Sequence, residues 1–354
     1  MNTSSRNGPD LFLAEILEQP EALSRTLRCW LAQDFESRLA KVLPKTKVPL
    51  VVMTGMGSSL DACYPACAFL NRHGLRTVAV ESGELLSSYP ALCSPKNLLV
   101  VVSQSGESAE VVRLMKELDS AFVVVGVTNT ADSYLAKQST VPLLMDAGQE
   151  ETVSTKTYVA TLFLLLMLAY RLVGTPVRER ERDFEQTIAV LRSFLAGWRP
   201  ALKPLVELFR DCAYLSLIAR GPSLASALEG ALVLKESARR PAEAISGGQF
   251  RHGALELVSE RYGYILFSGE EQTRPLIRSL GRDIVRYGGR VAFIGGEGSD
   301  APESIPTVAF QVSNPYLMPV LEIVPVQLLA WSLANLEGRT ISGFEKISKV
   351  IRNE

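Results

Sequence analysis

Cysteine is scarce and histidine scarcer: the 354 residues contain five cysteines, Cys29, Cys63, Cys67, Cys93 and Cys212, and two histidines. The cysteines form no CxxC pair and lie scattered in apolar surroundings. Neither a disulfide framework nor a Cys/His metal site is expected, and the thiols read as buried and reduced. An excess of charge is also lacking, with 37 Lys plus Arg against 38 Asp plus Glu. No overall field recruits nucleic acid or an anionic membrane, so any anion site must be local. The polar opening from Met1 to Asp10 lacks an apolar signal core, and the most apolar stretch, Val159 to Tyr170, falls short of the roughly 20 residues a membrane helix needs. These absences point to a cytoplasmic protein with neither membrane nor nucleic-acid partners.

What is present is material for a core: 47% of residues are hydrophobic and 21% charged, in a chain long enough for two domains. Leu13, Ile16, Leu17, Leu23, Leu27, Trp30 and Leu31 recur at mostly helical spacing, with Pro20 dividing two helices. From Pro49 the pattern changes to short apolar runs. Leu50 to Met53, Thr77 to Val80, Leu98 to Val102 and Phe122 to Val127 read as strands separated by helical stretches. Such alternation implies right-handed βαβ units, a parallel sheet with helices on both faces, and a ligand at the carboxyl ends of the strands. The second half repeats the first: Tyr214 to Ala219, Gly263 to Phe267 and Arg290 to Gly296 parallel the earlier strands at a similar offset. About five strands are expected in each copy. The alternating charges from Arg178 to Asp183 read as a solvated helix face at the boundary.

Three turns carry chemistry. Ser103-Gln104-Ser105-Gly106-Glu107-Ser108 follows one strand and opens a helix, where free amides, hydroxyls and the positive helix end suit an anion. The same residues also fit an ordinary helix cap, with Glu107 completing a capping box. Thr54 to Ser59 offers amides and a hydroxyl from Ser58 or Ser59, although its glycines fit a plain tight turn and the third glycine of a dinucleotide fingerprint is missing. Ser154-Thr155-Lys156 opens a third helix and reads either as a further anion contact or as an N-cap followed by an exposed lysine. Farther on, Glu229 and Glu236 fall about two turns apart on one helix face, with His252 among glycines beyond them. A carboxylate and an imidazole can open a sugar ring and move a proton between neighbouring carbons, but a solvated glutamate and a structural histidine fit the same pattern. Lys349, near the end, could form an imine if its amine is desolvated, or simply be exposed.

Ser103 to Ser108 resembles the phosphate loop of the sugar isomerase (SIS) family. The likeness extends along almost the whole chain, nearest to the isomerase half of the glucosamine-6-phosphate synthases. Glu15 to Pro20, Gly148 to Lys156, Leu228 to Glu236, Gly247 to Gly253 and Ile347 to Glu354 carry it. The resemblance implies an α/β architecture of two tandem SIS domains, each a parallel, flavodoxin-like sheet flanked by helices. It implies a helical segment at 1–43, a phosphate-binding domain at 44–190, a second domain with the Glu/His pair at 191–340, and a tail at 341–354 closing over the site. Ser59, Ser103, Gln104, Ser105, Ser108 and Ser154 would hold the substrate phosphate. Glu236 would move a proton between C1 and C2, His252 would open the ring from the neighbouring subunit of a homodimer, and Lys349 would stand at the Schiff-base lysine. The second copy keeps Ser268-Gly269-Glu270 without the serine cluster, so phosphate is expected only in the first.

No metal or organic cofactor is implied, because enolisation needs only an acid–base pair. Two departures matter: Val233 replaces a lysine of the family motif, and neither a glutaminase domain nor its N-terminal cysteine is expected to accompany these residues. The expectation is a phosphosugar isomerase/deaminase converting glucosamine 6-phosphate, or a related amino sugar phosphate, to fructose 6-phosphate and ammonia without glutamine. A fructosamine 6-phosphate deglycase and a non-catalytic sugar phosphate sensor are the alternatives.

Overall fold

Three helices open the chain in this computed structural model, which describes residues 10–42, 49–296, 304–339, 341, 344, 346 and 348–351. They are α1 (Leu11–Leu17), α2 (Gln19–Ala32) and α3 (Phe35–Val42). Asp10 caps α1 by accepting from the Leu13 amide at 3.1 Å, and Pro20 sits in the first turn of α2, where its missing N–H is not needed.

The first sheet follows as β1 (Val51–Gly55), α4 (Ser58–Asp61), α5 (Cys63–Arg72), β2 (Thr77–Glu81), α6 (Ser82–Ser87), β3 (Leu98–Val102), α7 (Ala109–Glu117), β4 (Val123–Thr128), α8 (Tyr134–Gln138), β5 (Val141–Leu144) and α9 (Lys156–Leu172). Helices α10 (Glu181–Ala196) and α11 (Trp198–Phe209) connect it to the second. That half comprises β6 (Tyr214–Ala219), α12 (Leu224–Val233), β7 (Ala242–Ser246), α13 (Gly247–Arg251), β8 (Tyr262–Phe267), α14 (Arg274–Arg286), β9 (Arg290–Gly296), β10 (Thr307–Phe310) and α15 (Met318–Leu336). The sheets run β2-β1-β3-β4-β5 and β10-β9-β8-β6-β7, every neighbouring pair parallel. Read from the opposite edge, the second order is the first, so among the described residues the chain holds two copies of one doubly wound α/β unit.

Strands β1 and β3 are buried at every position, as continuous apolar runs in a parallel sheet require. The sequence reading did not single out β5, β7 or β10. These edge strands have only four or five residues, β5 carries a proline and only one residue of β7 is buried, so none stands out as a strand in the sequence. Helix α9 is buried from Lys156 to Tyr170 and α15 from Met318 to Ala330, and one continuous apolar core joins them to both sheets. The segment Pro315–Leu336 is long and apolar enough to cross a bilayer, unlike Val159 to Tyr170, but 89% of its most apolar window is buried within the protein. Glu322, Gln327 and two prolines interrupt that stretch in the sequence and disguise its length.

Two glycines set the turns above the first sheet. At Gly55 a Cβ would lie 2.8 Å from the Val102 carbonyl, so only glycine lets β1 leave the sheet beside β3. Gly106 has φ +66°, and a Cβ there would crowd the Ser133 hydroxyl that caps α8. The left-handed backbone alone costs a non-glycine residue about 1–3 kcal/mol. Gly106→Ala should therefore lower the unfolding midpoint by at least ~2 °C in a thermal melt; an unchanged midpoint would mean that the turn is not held in this conformation.

Candidate active site

In a doubly wound sheet the crevice lies at the topological switch point, here between β1 and β3. The turns leaving those strands face each other across a cavity of about 260 Å³, lined by Met56 to Ser59 from one and by Ser103, Gln104, Ser105 and Ser108 from the other. Thr152 and Ser154, from the turn before α9, close one side. Leu232 and Glu236 come from the second half, and Phe344, Ser348, Lys349 and Ile351 from the tail. The structure thus brings Ser59, Ser103, Gln104, Ser105, Ser108, Ser154, Glu236 and Lys349 around one space. His252 is the exception: it is exposed at the end of α13 and lines no part of this cavity in its own chain. Within the tail expected to close over the site, 342, 343, 345, 347 and 352–354 lie outside the described residues.

The serine turn is organised from within. The Gly106 amide donates to Ser103 Oγ at 3.0 Å, the Glu107 amide to Ser105 Oγ at 3.2 Å, and the hydroxyls of Ser103 and Ser108 are 3.2 Å apart. The capping-box alternative is not what forms. Glu107 accepts from the Tyr134 amide at 2.7 Å and so serves α8, while Ser108 stands at the start of α7 without a side-chain cap bond. Among the described residues, the amides of Gln104, Ser105 and Ser108 donate to no protein oxygen. Unspent amides, several hydroxyls and the positive end of α7 form a cradle for a compact anion. Glu110, one turn along, also lines the cavity and suits sugar hydroxyls better than a second anion.

A pair of carboxylates holds the opposite wall. Glu15 of α1 accepts from the Glu151 amide at 2.5 Å, from the Thr152 amide at 3.2 Å and from the Thr152 hydroxyl. Glu150, its side chain fully buried, accepts from the amides and hydroxyls of Thr155 and Thr157 at 2.6–3.1 Å. Its second oxygen also receives Lys349 Nζ at 3.1 Å, and that amine donates in addition to the Thr152 carbonyl at 2.7 Å. The Ile351 carbonyl takes the Ala109 amide at 3.0 Å, so the tail is fastened to both walls. Lys156 is neither exposed nor part of the cavity lining. It is buried and donates to Glu18 at 2.7 Å, and although burial alone raises the Glu18 carboxyl, bonds from Lys156 and Arg25 bring it below the usual value. The Glu15 to Pro20 string is therefore the clamp on the Ser154 turn, and Asn129 links that turn's approach to the serine loop through Ala147 and Gly148.

Glu236 enters from the far side on a π turn, Leu234–Ala238, which continues α12 and ends at Arg239 with φ +52°. The wider turn carries an extra residue, a feature that recurs at functional sites. Of the two glutamates expected on one face, Glu236 lines the cavity, whereas Glu229 is wholly buried behind it, beside Asp61, Ser58 and Glu236. Burial pushes Glu236 up to about 7 against the pull of Lys235 and Lys349. Asp61, which the sequence reading passed over, is likewise raised to about 7 by burial and by Glu236, with Lys235 opposing. Burial, with Asp61 nearby, lifts Glu229 well above the carboxylate range. A carboxyl near 7 is available both as base and as acid at neutral pH.

The equivalent crevice of the second sheet is already occupied by the protein itself. Glu270, in the Ser268-Gly269-Glu270 remnant, receives Arg72 at 3.0 Å and the Thr273 hydroxyl at 3.1 Å, and Arg274 donates to the Ser268 carbonyl at 2.9 Å. A carboxylate stands where an anion would bind. Among the described residues no group of three or more His, Cys, Asp or Glu side chains is arranged to hold a metal ion.

Known proteins place this architecture. The SIS domain model matches residues 46–171 and 208–330. A glutamine–fructose-6-phosphate aminotransferase (isomerizing) from Pyrococcus horikoshii is 30% identical over 97% of this chain, which spans 57% of that protein's length. Among solved structures, the C-terminal domain of a glucosamine-fructose-6-phosphate aminotransferase from Francisella tularensis aligns with TM-score 0.80 at 21% identity, covering 97% of this chain and 100% of that one. A glucosamine-6-phosphate deaminase from Thermotoga maritima aligns with TM-score 0.76 at 22% identity, covering 96% and 99%. With two SIS matches that span most of its length, each on one of the two sheets, this chain belongs to the SIS domain family.

Proposed function

We propose that this chain is a phosphosugar isomerase of the deaminating kind, converting an amino sugar 6-phosphate such as glucosamine 6-phosphate to fructose 6-phosphate and ammonia. One observation carries the reading: a carboxyl raised to about 7 shares a single cavity with a cradle for a compact anion. The kinship with an isomerizing aminotransferase named for fructose 6-phosphate supports a hexose phosphate as the guest. In this reading Ser59, Ser103, Gln104, Ser105, Ser108 and Ser154 hold the phosphate, and the sugar reaches across to Glu236. With the ring open, the Glu236 carboxylate takes the proton from C2. The electron pair forms the C1–C2 double bond as the C1 oxygen gains a proton. Return of the proton to C1 leaves an imine at C2, which water hydrolyses to the ketose and ammonia. His252, exposed on its own chain, would reach the ring oxygen from a second copy in a homodimer. Lys349 brings a cation to the same wall, its amine already engaged by Glu150 and the Thr152 carbonyl.

Purified protein supplied with glucosamine 6-phosphate should release ammonia and fructose 6-phosphate in equal amounts, and Glu236→Gln should lower kcat by about 10²–10⁴-fold while sugar phosphate still binds. Undiminished turnover in that variant would remove Glu236 from the mechanism. Because the base must be ionised, kcat/KM should fall about tenfold per pH unit below the Glu236 value of about 7 and level off above it. A profile flat from pH 5 to 8 would contradict this. Ser105→Ala removes a hydroxyl from the cradle and should weaken hexose 6-phosphate binding by roughly 10–100-fold in a calorimetric titration, the worth of one hydrogen bond to a charged group.

A further inference from the structure

Glu229 is an acid that the steps drawn so far leave unused. It is wholly buried on α12, the helix that leads into Glu236, and neither of its oxygens takes a hydrogen bond from a described residue. Burial above all, and then the nearby acids Asp61, Glu236 and Glu150, oppose a charge there, whereas the Ser58 hydroxyl favours one. The Tyr158 hydroxyl, buried in the same surroundings, is spent on the Ala225 carbonyl at 3.1 Å. Val233 is fully buried one helical turn beyond Glu229, so an alkyl group stands where a lysine could have answered the carboxylate. An unpaired buried charge costs far more than a bound proton, and Glu229 is therefore held as a neutral carboxylic acid.

Ser58 connects this acid to the cavity. It opens α4, which packs against α12, and it lines the cavity with Glu236 and Leu232. The proposed reaction needs a proton donor at that wall. When Glu236 takes the C2 proton, negative charge develops on the C1 oxygen. Of the other lining groups, Met56, Leu232 and Phe344 carry no transferable proton, and the Lys349 amine is engaged by Glu150 and the Thr152 carbonyl. We propose that Ser58 is a catalytic residue that protonates the C1 oxygen, with Glu229 behind it as the positioning residue that holds the replacement proton. This deepens the phosphosugar reading and rests on it. Hydrogen bonds of this kind commonly close only when the substrate is bound, in keeping with the unspent oxygens of Glu229.

The steps balance. With the ring open, the C2–H bond breaks toward Glu236 and its electron pair forms the C1–C2 double bond. The carbonyl pair moves onto the C1 oxygen, which takes the Ser58 proton as the Glu229 proton passes to Ser58 Oγ. Glu236 returns its proton to C1, leaving an iminium at C2 whose charge is balanced by the Glu229 carboxylate. Water adds at C2, the C–N bond breaks, and the departing ammonium gives a proton back to Glu229. Water is the co-reactant, and no electron is gained or lost overall.

The test follows fructose 6-phosphate and ammonia release from glucosamine 6-phosphate by the unsubstituted protein and by Ser58→Ala, Ser58→Thr, Glu229→Gln and Ser58→Ala/Glu229→Gln, each with a thermal melt. Loss of a general acid costs about 10²–10⁴-fold, so Ser58→Ala and Glu229→Gln should each lower kcat by about 10²-fold or more while KM changes little. Ser58→Thr keeps the hydroxyl and should retain most of the turnover. Because the two residues act in series, the double variant should be about as slow as the slower single one. Glu229→Gln keeps the shape of the neutral acid, and its unfolding midpoint should not fall. Undiminished kcat in either single variant, a change confined to KM, effects that multiply in the double variant, or a lowered midpoint in Glu229→Gln overturns the inference and leaves the isomerase reading standing. Absence of both products from the unsubstituted protein overturns both readings.

Discussion

The site depends on burying carboxylates where each oxygen can be answered. An unpaired buried carboxylate is far costlier than a hydrophobic side chain, so such groups persist only inside dense sets of donors. Glu15 and Glu150 meet that demand with backbone amides and threonine hydroxyls from the turn that carries Thr152 and Ser154. The turn therefore has one conformation that satisfies both acids, and the wall of the cavity is set before any ligand arrives. Glu236 presents the opposite case. It is buried enough to be pushed to about 7 but is left facing open space, so it can both hold and give up a proton near neutral pH.

How much of this could be seen in the residue string depends on distance along the chain. Strands β1 and β3 and their turns were legible because a buried parallel strand, a glycine and a serine cluster are all local signals. Glu236 stood out through its helical spacing and its surroundings in the motif, although the π turn that carries it leaves no periodic trace. The clamp was illegible in physical terms: Glu15 meets Thr152 across 137 positions and Lys349 meets Glu150 across 199. Nothing local to Lys156 announces that it will be buried against Glu18, so its reading as a capping neighbour or anion contact failed.

Duplication gave the two halves one topology and different fates. In the first, the crevice at the switch point is lined by hydroxyls and amides and remains open. In the second, Glu270 and Arg72 neutralise each other in the corresponding place, and because Arg72 belongs to α5, the plug is also a bond between the halves. The second copy contributes instead through Leu232 and Glu236, which leave its own sheet to reach the first copy's cavity. Each half thus supplies what the other lacks.

The shared core has a bearing on how the molecule comes apart. Helices α9 and α15 are apolar on nearly every side and are covered by residues from both sheets. Pulling the halves apart would strip both helices at once, an exposure that neither sheet could repair with its own residues. The two copies of the fold therefore form a single cooperative unit, whose partial opening is penalised almost as heavily as complete unfolding. A sugar phosphate bound between the serine turn and Glu236 would stabilise the whole molecule rather than one sheet, since it would touch residues of both halves.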